Sequence, residues 1–205
     1  MTAVLSRGGS LDDGHSTQRE AILRAALELL RAEGAAGLRV RTVAAAAGCS
    51  TTGVYTWFGG KNGLVEAIYV EGFQRFGEAL DRVSNLDDPT AIVRARAIRY
   101  REWAIANPTH YQVMFGGLVP GFEAGAEALA IAARTFFALA DAVRAAMDAG
   151  AFAPDDPAAV AYHLWAGIHG YVELELAGHC PIVGRPADEL YERGVDLLMS
   201  GVTAT

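Results

Sequence analysis

The sequence is poor in cysteine and lysine and has no long uncharged hydrophobic run. Its two cysteines, Cys49 and Cys180, form no CxxC pair and cannot build a disulfide framework, so we expect a reduced, cytoplasmic protein. No uncharged stretch of about 18 residues is continuously apolar, which excludes a membrane-spanning helix. Residues 1–16 also lack the apolar core of a signal peptide. Lys61 is the single lysine among 17 basic residues.

Alternating strand patterns are nearly absent, whereas helix starts and stops are frequent. Thr17 and Glu20 form a capping box before a helical stripe of apolar residues. The pairs Asp88-Pro89 and Asp156-Pro157 are typical helix starts. The sequence therefore predicts an all-α protein with about nine helices. Their expected ranges are 17–34, 41–47, 51–57, 61–83, 89–107, 109–115, 123–149, 157–178 and 187–200.

The charges are unevenly distributed along the chain. Residues 1–63 carry seven basic and five acidic side chains, whereas residues 64–205 carry ten basic and nineteen acidic ones. The net charge of −7 excludes non-specific coating of nucleic acid by bulk positive charge. A mildly basic head on an acidic body is compatible with DNA binding by the head, or with chance.

Residues 39–58 have the pattern of a helix-turn-helix. Ala44 and Ala47 are small where two short helices must cross closely, and Gly48 supplies the turn. Cys49 is expected to be a small buried hydrophobic residue beside that turn. Apolar side chains stand where the core of a three-helix head needs them, at Val43, Val54 and Phe58.

A strictly spaced set of residues covers this region. Its members are Ala44, Ala47, Gly48, Ser50, Tyr55, Phe58, Lys61 and Leu64. Because they carry this set of residues, positions 17–64 resemble the DNA-binding region of the TetR family of bacterial transcriptional regulators. The resemblance implies that the second short helix, 51–57, lies in the DNA major groove, and that Tyr55 and Lys61 contact phosphates. Free amides at the start of the next helix would help Lys61 to hold a phosphate.

Further residues of the head are candidate DNA contacts. Those for base edges are Thr51, Thr52, Gly53, Thr56 and Trp57. Trp57 has two alternatives, which are packing on the sugar-phosphate backbone and filling the core of the head. Arg39 stands where the family usually has a capping Ser or Thr. It cannot accept a capping hydrogen bond and is expected on a phosphate. Thr42 is another phosphate candidate, and Arg7 lies in an N-terminal arm that could reach the minor groove or do nothing.

Two stretches of the body, 100–116 and 164–170, carry aromatic residues at fixed spacing, the second around Trp165, His169 and Gly170. In these stretches the chain resembles a TetR subgroup whose C-terminal domain is named for a Trp-His-Gly motif. The resemblance implies a ligand-binding and dimerising body. The residues that could line a pocket, or else form ordinary core, are Trp103, Tyr111, Phe115, Phe137, Trp165, His169 and Tyr171.

Four arginines, Arg94, Arg96, Arg99 and Arg101, crowd one predicted helix of the body. They could bind an acidic ligand, touch the head or form solvated salt bridges with the acidic residues of the body. Salt bridging is the default expectation.

The predicted helix over 157–178 has two faces. One carries Trp165 and His169. The other is mostly small, permits close helix approach, and carries His163, Gly167, Gly170, Leu174 and Ala177. We expect a homodimer through the last two helices, because reading a palindrome needs two heads. The alternative is that both faces are intramolecular core. The expected division is a flexible arm at 1–16, a DNA-binding domain at 17–63 and a ligand-binding and dimerisation domain at 64–205.

The sequence predicts a DNA-binding transcriptional regulator, in its simplest form a repressor. A small hydrophobic or amphipathic effector would release it from a palindromic operator. A metal-responsive regulator is an alternative, because His169 and Glu173 lie one helical turn apart with His163 in phase. A small helical enzyme using His169 and Glu173 is a second alternative. No nucleophile motif and no glycine-rich phosphate loop support it, so we expect neither an enzyme nor a cofactor.

Overall fold

A computed structural model describes residues 12–83 and 86–204. These residues form nine α-helices and no strand, apart from one isolated bridge between Phe152 and Thr203. The helices are α1 (Asp12–Glu33), α2 (Val40–Ala46), α3 (Thr51–Phe58), α4 (Lys61–Asp81), α5 (Pro89–Ala106), α6 (Pro108–Met114), α7 (Ala126–Asp148), α8 (Pro157–Leu176) and α9 (Ala187–Ser200). The all-α prediction is confirmed. None of these helices is long and apolar enough to cross a membrane.

The chain divides into two compact units. The head unit comprises the residues up to Tyr69 together with Gln112–Ala124, and the body unit comprises Val70–Tyr111 together with the residues from Gly125 onward. The head unit has a core of its own, as the helix-turn-helix pattern predicted. Its fully buried side chains include Ile22, Val43, Val54, Leu64 and Val65.

The start of α1 differs from the sequence prediction. The helix begins at Asp12, so Thr17 lies inside it and is not its N-cap. The capping-box pattern is wrong as a boundary, because it marks a start only where the preceding residues leave the helix. Residues 12–16 are therefore helical, although the sequence placed them in the flexible arm. Arg7 and the rest of that arm lie outside the described residues.

The turn between α2 and α3 is built by two residues of the motif. Gly48 has a φ of 65°, a left-handed conformation that glycine adopts without strain. The Ser50 hydroxyl caps α3 by accepting a hydrogen bond from the Gly53 amide at 3.2 Å. Cys49 is half-buried, whereas the sequence predicted full burial. The reason is its position on a surface turn, between the exposed Gly48 and Ser50.

Two predicted helix starts in the body are confirmed by their caps. Asp88 Oδ1 accepts from the Thr90 amide at 2.9 Å, directly before α5. Asp156 Oδ1 accepts from the Ala158 amide at 2.9 Å, directly before α8. Each aspartate satisfies an amide that has no partner inside its own helix, and the proline that follows it lacks an amide hydrogen.

Helices α8 and α9 pack closely because each has a glycine at the contact. A side-chain carbon at Gly167 would lie 2.6 Å from Leu198 Cδ1, and one at Gly194 would overlap the Tyr171 ring. The sequence assigned Gly167 to the dimer face. This assignment is wrong, because Gly167 receives Leu198 of its own chain. Gly170, by contrast, faces open space.

The four arginines of α5 form ion pairs within the body unit. Solvated salt bridges were the default expectation, and this holds for Arg94 and Arg99, whereas Arg96 and Arg101 are largely buried. The N–O distances are 2.9 Å for Arg94–Asp196, 3.0 Å for Arg96–Asp81, 2.6 Å for Arg99–Glu102 and 2.6 Å for Arg101–Glu175. The Arg101–Glu175 pair is bidentate, with a second hydrogen bond of 2.7 Å, and both of its side chains are largely buried. It therefore links α5 to α8 with defined geometry.

Candidate nucleic-acid interface and buried polar cluster

Helix α3 has one buried and one exposed face. Val54 and Phe58 are buried in the head unit. The exposed side chains are those of Thr51, Thr52, Tyr55 and Thr56. Thr56 Oγ1 donates to the Thr52 carbonyl at 2.9 Å, so the hydroxyl lone pairs and the methyl group are what this residue offers to a ligand. The outer face of α3 is therefore polar and uncharged.

The turn after α3 orients Tyr55. Gly60 has a φ of 123°, and a side-chain carbon there would lie 3.3 Å from Tyr55 Cε1, so the ring packs against the turn. Tyr55 is nevertheless 56% exposed. Lys61 begins α4 and is also exposed. The phenol and the ammonium that the sequence assigned to phosphates thus flank one surface turn.

Gly63 sets the start of α4 against the end of α3. A side-chain carbon at Gly63 would overlap the carbonyl oxygen of Phe58. The two helices can approach this closely only because the residue has no side chain. Gly63 was not among the predicted site residues, although a glycine two residues after Lys61, inside a helix, is a visible signal.

The first turn of α2 carries two more candidates. Arg39 is the N-cap residue, with φ −110° and ψ 136°, and its side chain makes no capping hydrogen bond. This agrees with the expectation that arginine cannot act as a hydrogen-bonding cap. Arg39 is exposed and Thr42 is half-buried. Both therefore lie at the surface of the head unit beside the motif.

Trp57 is tied to α1. It is half-buried, and its indole Nε1 donates to Gln18 Oε1 at 3.3 Å. The Arg19 guanidinium lies 5.5 Å from the centre of the Phe58 ring, so a second contact joins the same two helices. Gln18 was not among the predicted site residues. No local pattern links two residues that are 39 positions apart.

The body unit contains a buried polar cluster that joins α5, α6 and α8. Tyr100 and Tyr111 place their hydroxyl oxygens 3.1 Å apart. His169 Nδ1 lies 3.0 Å from the first oxygen and 2.7 Å from the second. Trp165 Nε1 donates to Tyr100 Oη at 3.3 Å. An indole donates only, so a consistent chain of donors runs from Trp165 through Tyr100 and Tyr111 to His169 Nδ1.

The protonation states support this direction. Burial lowers the pKa of His169, and the nearby Glu173 carboxylate opposes that effect. Burial raises the pKa of Tyr100 to about 12 and also raises the pKa of Tyr111. Near neutral pH both phenols therefore keep their hydrogens, and a neutral His169 accepts at Nδ1.

Glu173 follows His169 by one turn of α8. Its Oε1 atom is buried and has no hydrogen-bond partner among the described residues. The sequence also named His163 as a residue in phase with this pair. Within residues 12–83 and 86–204, no group of three or more His, Cys, Asp and Glu side chains is placed to hold a metal ion.

Of the other predicted pocket residues, three belong to the body unit and make none of these hydrogen bonds. Trp103 packs on Phe76, with ring centres 5.1 Å apart. Phe137 is 59% exposed, and Tyr171 packs on Tyr191. Phe115 belongs to the head unit. Of the seven candidates, the structure thus brings Tyr111, Trp165 and His169 together.

A separate cleft of about 270 Å³ lies between α4, α5 and α7. Its lining includes Phe73, Gly77, Asp81, Arg96, Arg134 and Thr135, and none of the predicted pocket residues. The Arg96 side chain is only 7% exposed, whereas its partner Asp81 is 67% exposed. The cleft therefore combines an apolar wall with a buried cation, and no local sequence pattern predicted it.

Comparisons with known proteins agree with this architecture. Residues 22–68 match the family described as bacterial regulatory proteins, tetR family. Residues 93–198 match the family described as tetracyclin repressor-like, C-terminal domain. HTH-type transcriptional regulators of Mycobacterium tuberculosis and Mycobacterium bovis are each 28% identical to this chain, over 71% of it and 74% of the relative.

Solved structures show the same fold. A protein of unknown function from Rhodococcus sp. RHA1 is 26% identical, with a TM-score of 0.80, over 98% of this chain and 99% of that chain. The TetR family transcriptional regulator PfmR from Thermus thermophilus is 19% identical, with a TM-score of 0.70, over 87% of this chain and 97% of that chain. The C-terminal match alone covers more than half of the sequence. The chain belongs to the TetR family of transcriptional regulators.

Proposed function

We propose that this regulator is a homodimeric repressor that binds a palindromic operator through α3 and acts in the cytoplasm. A small hydrophobic or amphipathic effector bound by the body releases it. The observation that carries the proposal is the outer face of α3, which is exposed and polar along one side of a capped helix. An exposed recognition helix of this kind reads base edges in the major groove.

The proposed DNA contacts fall into two groups. Phosphates are held by Arg39, Thr42, Tyr55 and Lys61, which are polar residues around α3. Base edges are met by Thr51, Thr52, Gly53 and Thr56 of α3. Trp57 is proposed to meet the DNA with its ring, because its indole N–H is directed at Gln18. The proposed DNA contacts include one lysine and one arginine. Binding therefore releases few counterions from the DNA, and the affinity for unrelated DNA is weak.

The proposed dimer interface uses α8 and α9. Along α8 a stripe with four-residue spacing carries the exposed Tyr162, Ala166 and Leu174 and the half-buried Gly170. Leu197 of α9 is exposed as well. The stripe is small at its centre, where Gly170 faces open space, so a second copy of α8 can approach closely. Pairing of the same surface on both subunits gives a closed two-fold dimer.

The proposed effector region of the body centres on Tyr111, Trp165 and His169. Apolar surface comes from the rings of Tyr111 and Trp165 and from their neighbours. Hydrogen bonds come from the neutral His169 imidazole and its tyrosine partners. Trp103, Phe137 and Tyr171 remain candidates at its margin. The effector acts by favouring a form of the dimer with lower operator affinity, since a ligand shifts only states that it binds differently.

A gel-shift assay tests the proposal. The probe is duplex DNA from the flanks of the gene that encodes this protein, and unrelated duplexes of equal length are the control. We expect a specific complex at low salt and a dimer by light scattering. Equal binding to all duplexes, or none to any, would contradict an operator-binding repressor. Release of the specific complex by an apolar compound, and by no divalent metal, would support effector control over metal control.

A further inference from the structure

The hydrogen bond between Gln18 and Trp57 fixes the orientation of the Gln18 carboxamide. An indole N–H can only donate, so the atom of Gln18 that lies 3.3 Å from Trp57 Nε1 is the carbonyl oxygen. The amide nitrogen, Nε2, must then point away from Trp57. It carries two hydrogens and has no acceptor among the described residues of the head unit.

The Nε2 atom lies beside the outer face of α3. It is 3.8 Å from the place that a side-chain carbon of Gly53 would occupy. Gly53 precedes Trp57 by one helical turn and Thr56 by three residues, so it borders the exposed threonine face. Gln18 is itself exposed. A residue of α1 thus adds two donors to the surface that α3 presents.

Gly53 is what leaves these donors uncovered. A methyl group there would meet Gln18 Nε2, Cys49 Sγ and Ser50 Oγ at 3.8 Å, which is ordinary van der Waals contact. The φ of Gly53 is not in the left-handed region that favours glycine. Glycine is among the least favourable residues inside a helix. At position 53, neither packing within the head nor backbone conformation explains why a glycine stands there.

We propose that Gln18 is a DNA contact of α1, and that its Nε2 donates to an acceptor atom of the operator through the gap at Gly53. The proposal rests on the proposed operator-binding function. Because Oε1 is occupied by Trp57, Gln18 cannot make the two-sided amide contact that reads adenine. It offers donors alone. Its partner is therefore an acceptor, either a phosphate oxygen or an acceptor atom on a base edge.

The experiment measures affinity by fluorescence anisotropy for a duplex selected from a random-sequence library by the wild-type protein, and for an unrelated duplex. Gln18→Ala should weaken binding about tenfold. A loss on both duplexes identifies a phosphate partner, and a loss on the selected duplex alone identifies a base. Glu28→Ala, which alters another exposed residue of α1, is the matched control and should bind more like wild type.

Gln18→Glu separates DNA contact from support of Trp57. A carboxylate still accepts from the Trp57 indole, but it has no donor and it also repels the DNA phosphates, so it should lose more affinity than Gln18→Ala. If Gln18→Glu binds as well as wild type, Gln18 only positions Trp57 and the proposal is overturned. Wild-type affinity in Gln18→Ala overturns it as well. A wild-type protein that selects no sequence from the library instead overturns the operator-binding function itself.

Discussion

Gly63 leaves no room for a side chain, because a carbon attached there would overlap the carbonyl oxygen of Phe58. The contact joins the first turn of α4 to the last residue of α3. Since Lys61 stands in the same turn of α4, the contact also determines where its ammonium is held relative to α3. One glycine thereby links the stability of the head unit to the geometry of its outer face.

Gly63→Ala should destabilise the protein by about 3 kcal/mol and abolish operator binding, because a rigid backbone atom cannot move aside. Gly53→Ala is the matched control for stability. It adds the same methyl group but meets only ordinary contacts at 3.8 Å, so helix propensity should raise stability by about 1 kcal/mol. Urea unfolding measures both variants. Equal stability of the two would contradict the close approach at Phe58.

Gly53→Ala should also weaken operator binding while it keeps or raises the melting temperature. The added methyl group covers the donors of Gln18 and fills surface that the DNA would approach. Anisotropy on the selected duplex measures the loss, and thermal unfolding of the same sample shows that the fold is intact. Wild-type affinity for this variant would show that DNA does not come close to α3 at this position.

Lys61→Ala should weaken binding to every duplex and lower the slope of log affinity against log salt by about 1, because one phosphate contact is lost. Arg31→Ala removes an equal charge from the exposed C-terminal turn of α1, about 20 Å along that helix from Gln18. Its salt slope should stay close to that of wild type, because charges farther apart than about 10 Å are screened. A slope unchanged in Lys61→Ala would reject its phosphate role.

The sequence predicted the helices and the helix-turn-helix because their signals are local. The caps at Ser50, Asp88 and Asp156 and the turn at Gly48 depend on residues a few positions away. Apolar spacing similarly identified the head core. The start of α1 escaped, because a capping box can occur within a longer helix.

What the sequence missed, such as Gln18 and the partner of Gly167, depends on contacts between distant segments. Gln18 meets Trp57 across 39 positions, and Gly167 receives Leu198 from another helix. Composition cannot reveal such pairs, since a glutamine or a glycine in a helix has no partner until the helices are packed. For the same reason, the aromatic residues of the body could be named as candidates, while their grouping around Tyr111 and His169 could not.

Stability should fall as the pH drops from about 7 to 5. Burial lowers the pKa of His169, which faces Tyr100, Tyr111 and Glu173, and of His110. In that pH range the unfolded chain binds more protons than the native one. The contribution of these histidines to the free energy of unfolding is therefore present above the ordinary histidine pKa of about 6.5 and is lost as the pH falls below it. His169→Gln should flatten the dependence measured by urea unfolding. If the stability of His169→Gln fell with pH as steeply as that of wild type, the effect would come from groups other than His169.

Tyr111→Phe should lower stability by about 1–2 kcal/mol, because it removes the hydroxyl that lies 2.7 Å from His169 Nδ1 and 3.1 Å from Tyr100 Oη. Tyr55→Phe, measured without DNA, is the control, because Tyr55 is an exposed tyrosine of α3. It should change stability by less than about 0.5 kcal/mol. Similar losses in the two variants would mean that the buried hydroxyl makes no special contribution.

Gly170→Asp should convert the dimer into a folded monomer. A side-chain carbon at Gly170 meets no packed neighbour within 4 Å, so the fold should accept the substitution, but two carboxylates would face each other across a two-fold interface. Leu129→Glu places a carboxylate on another exposed apolar residue, on α7, and should leave the dimer intact. Light scattering gives the masses, and anisotropy should show weaker operator binding for the monomer because it has one head. A dimer that persists in Gly170→Asp would place the interface elsewhere.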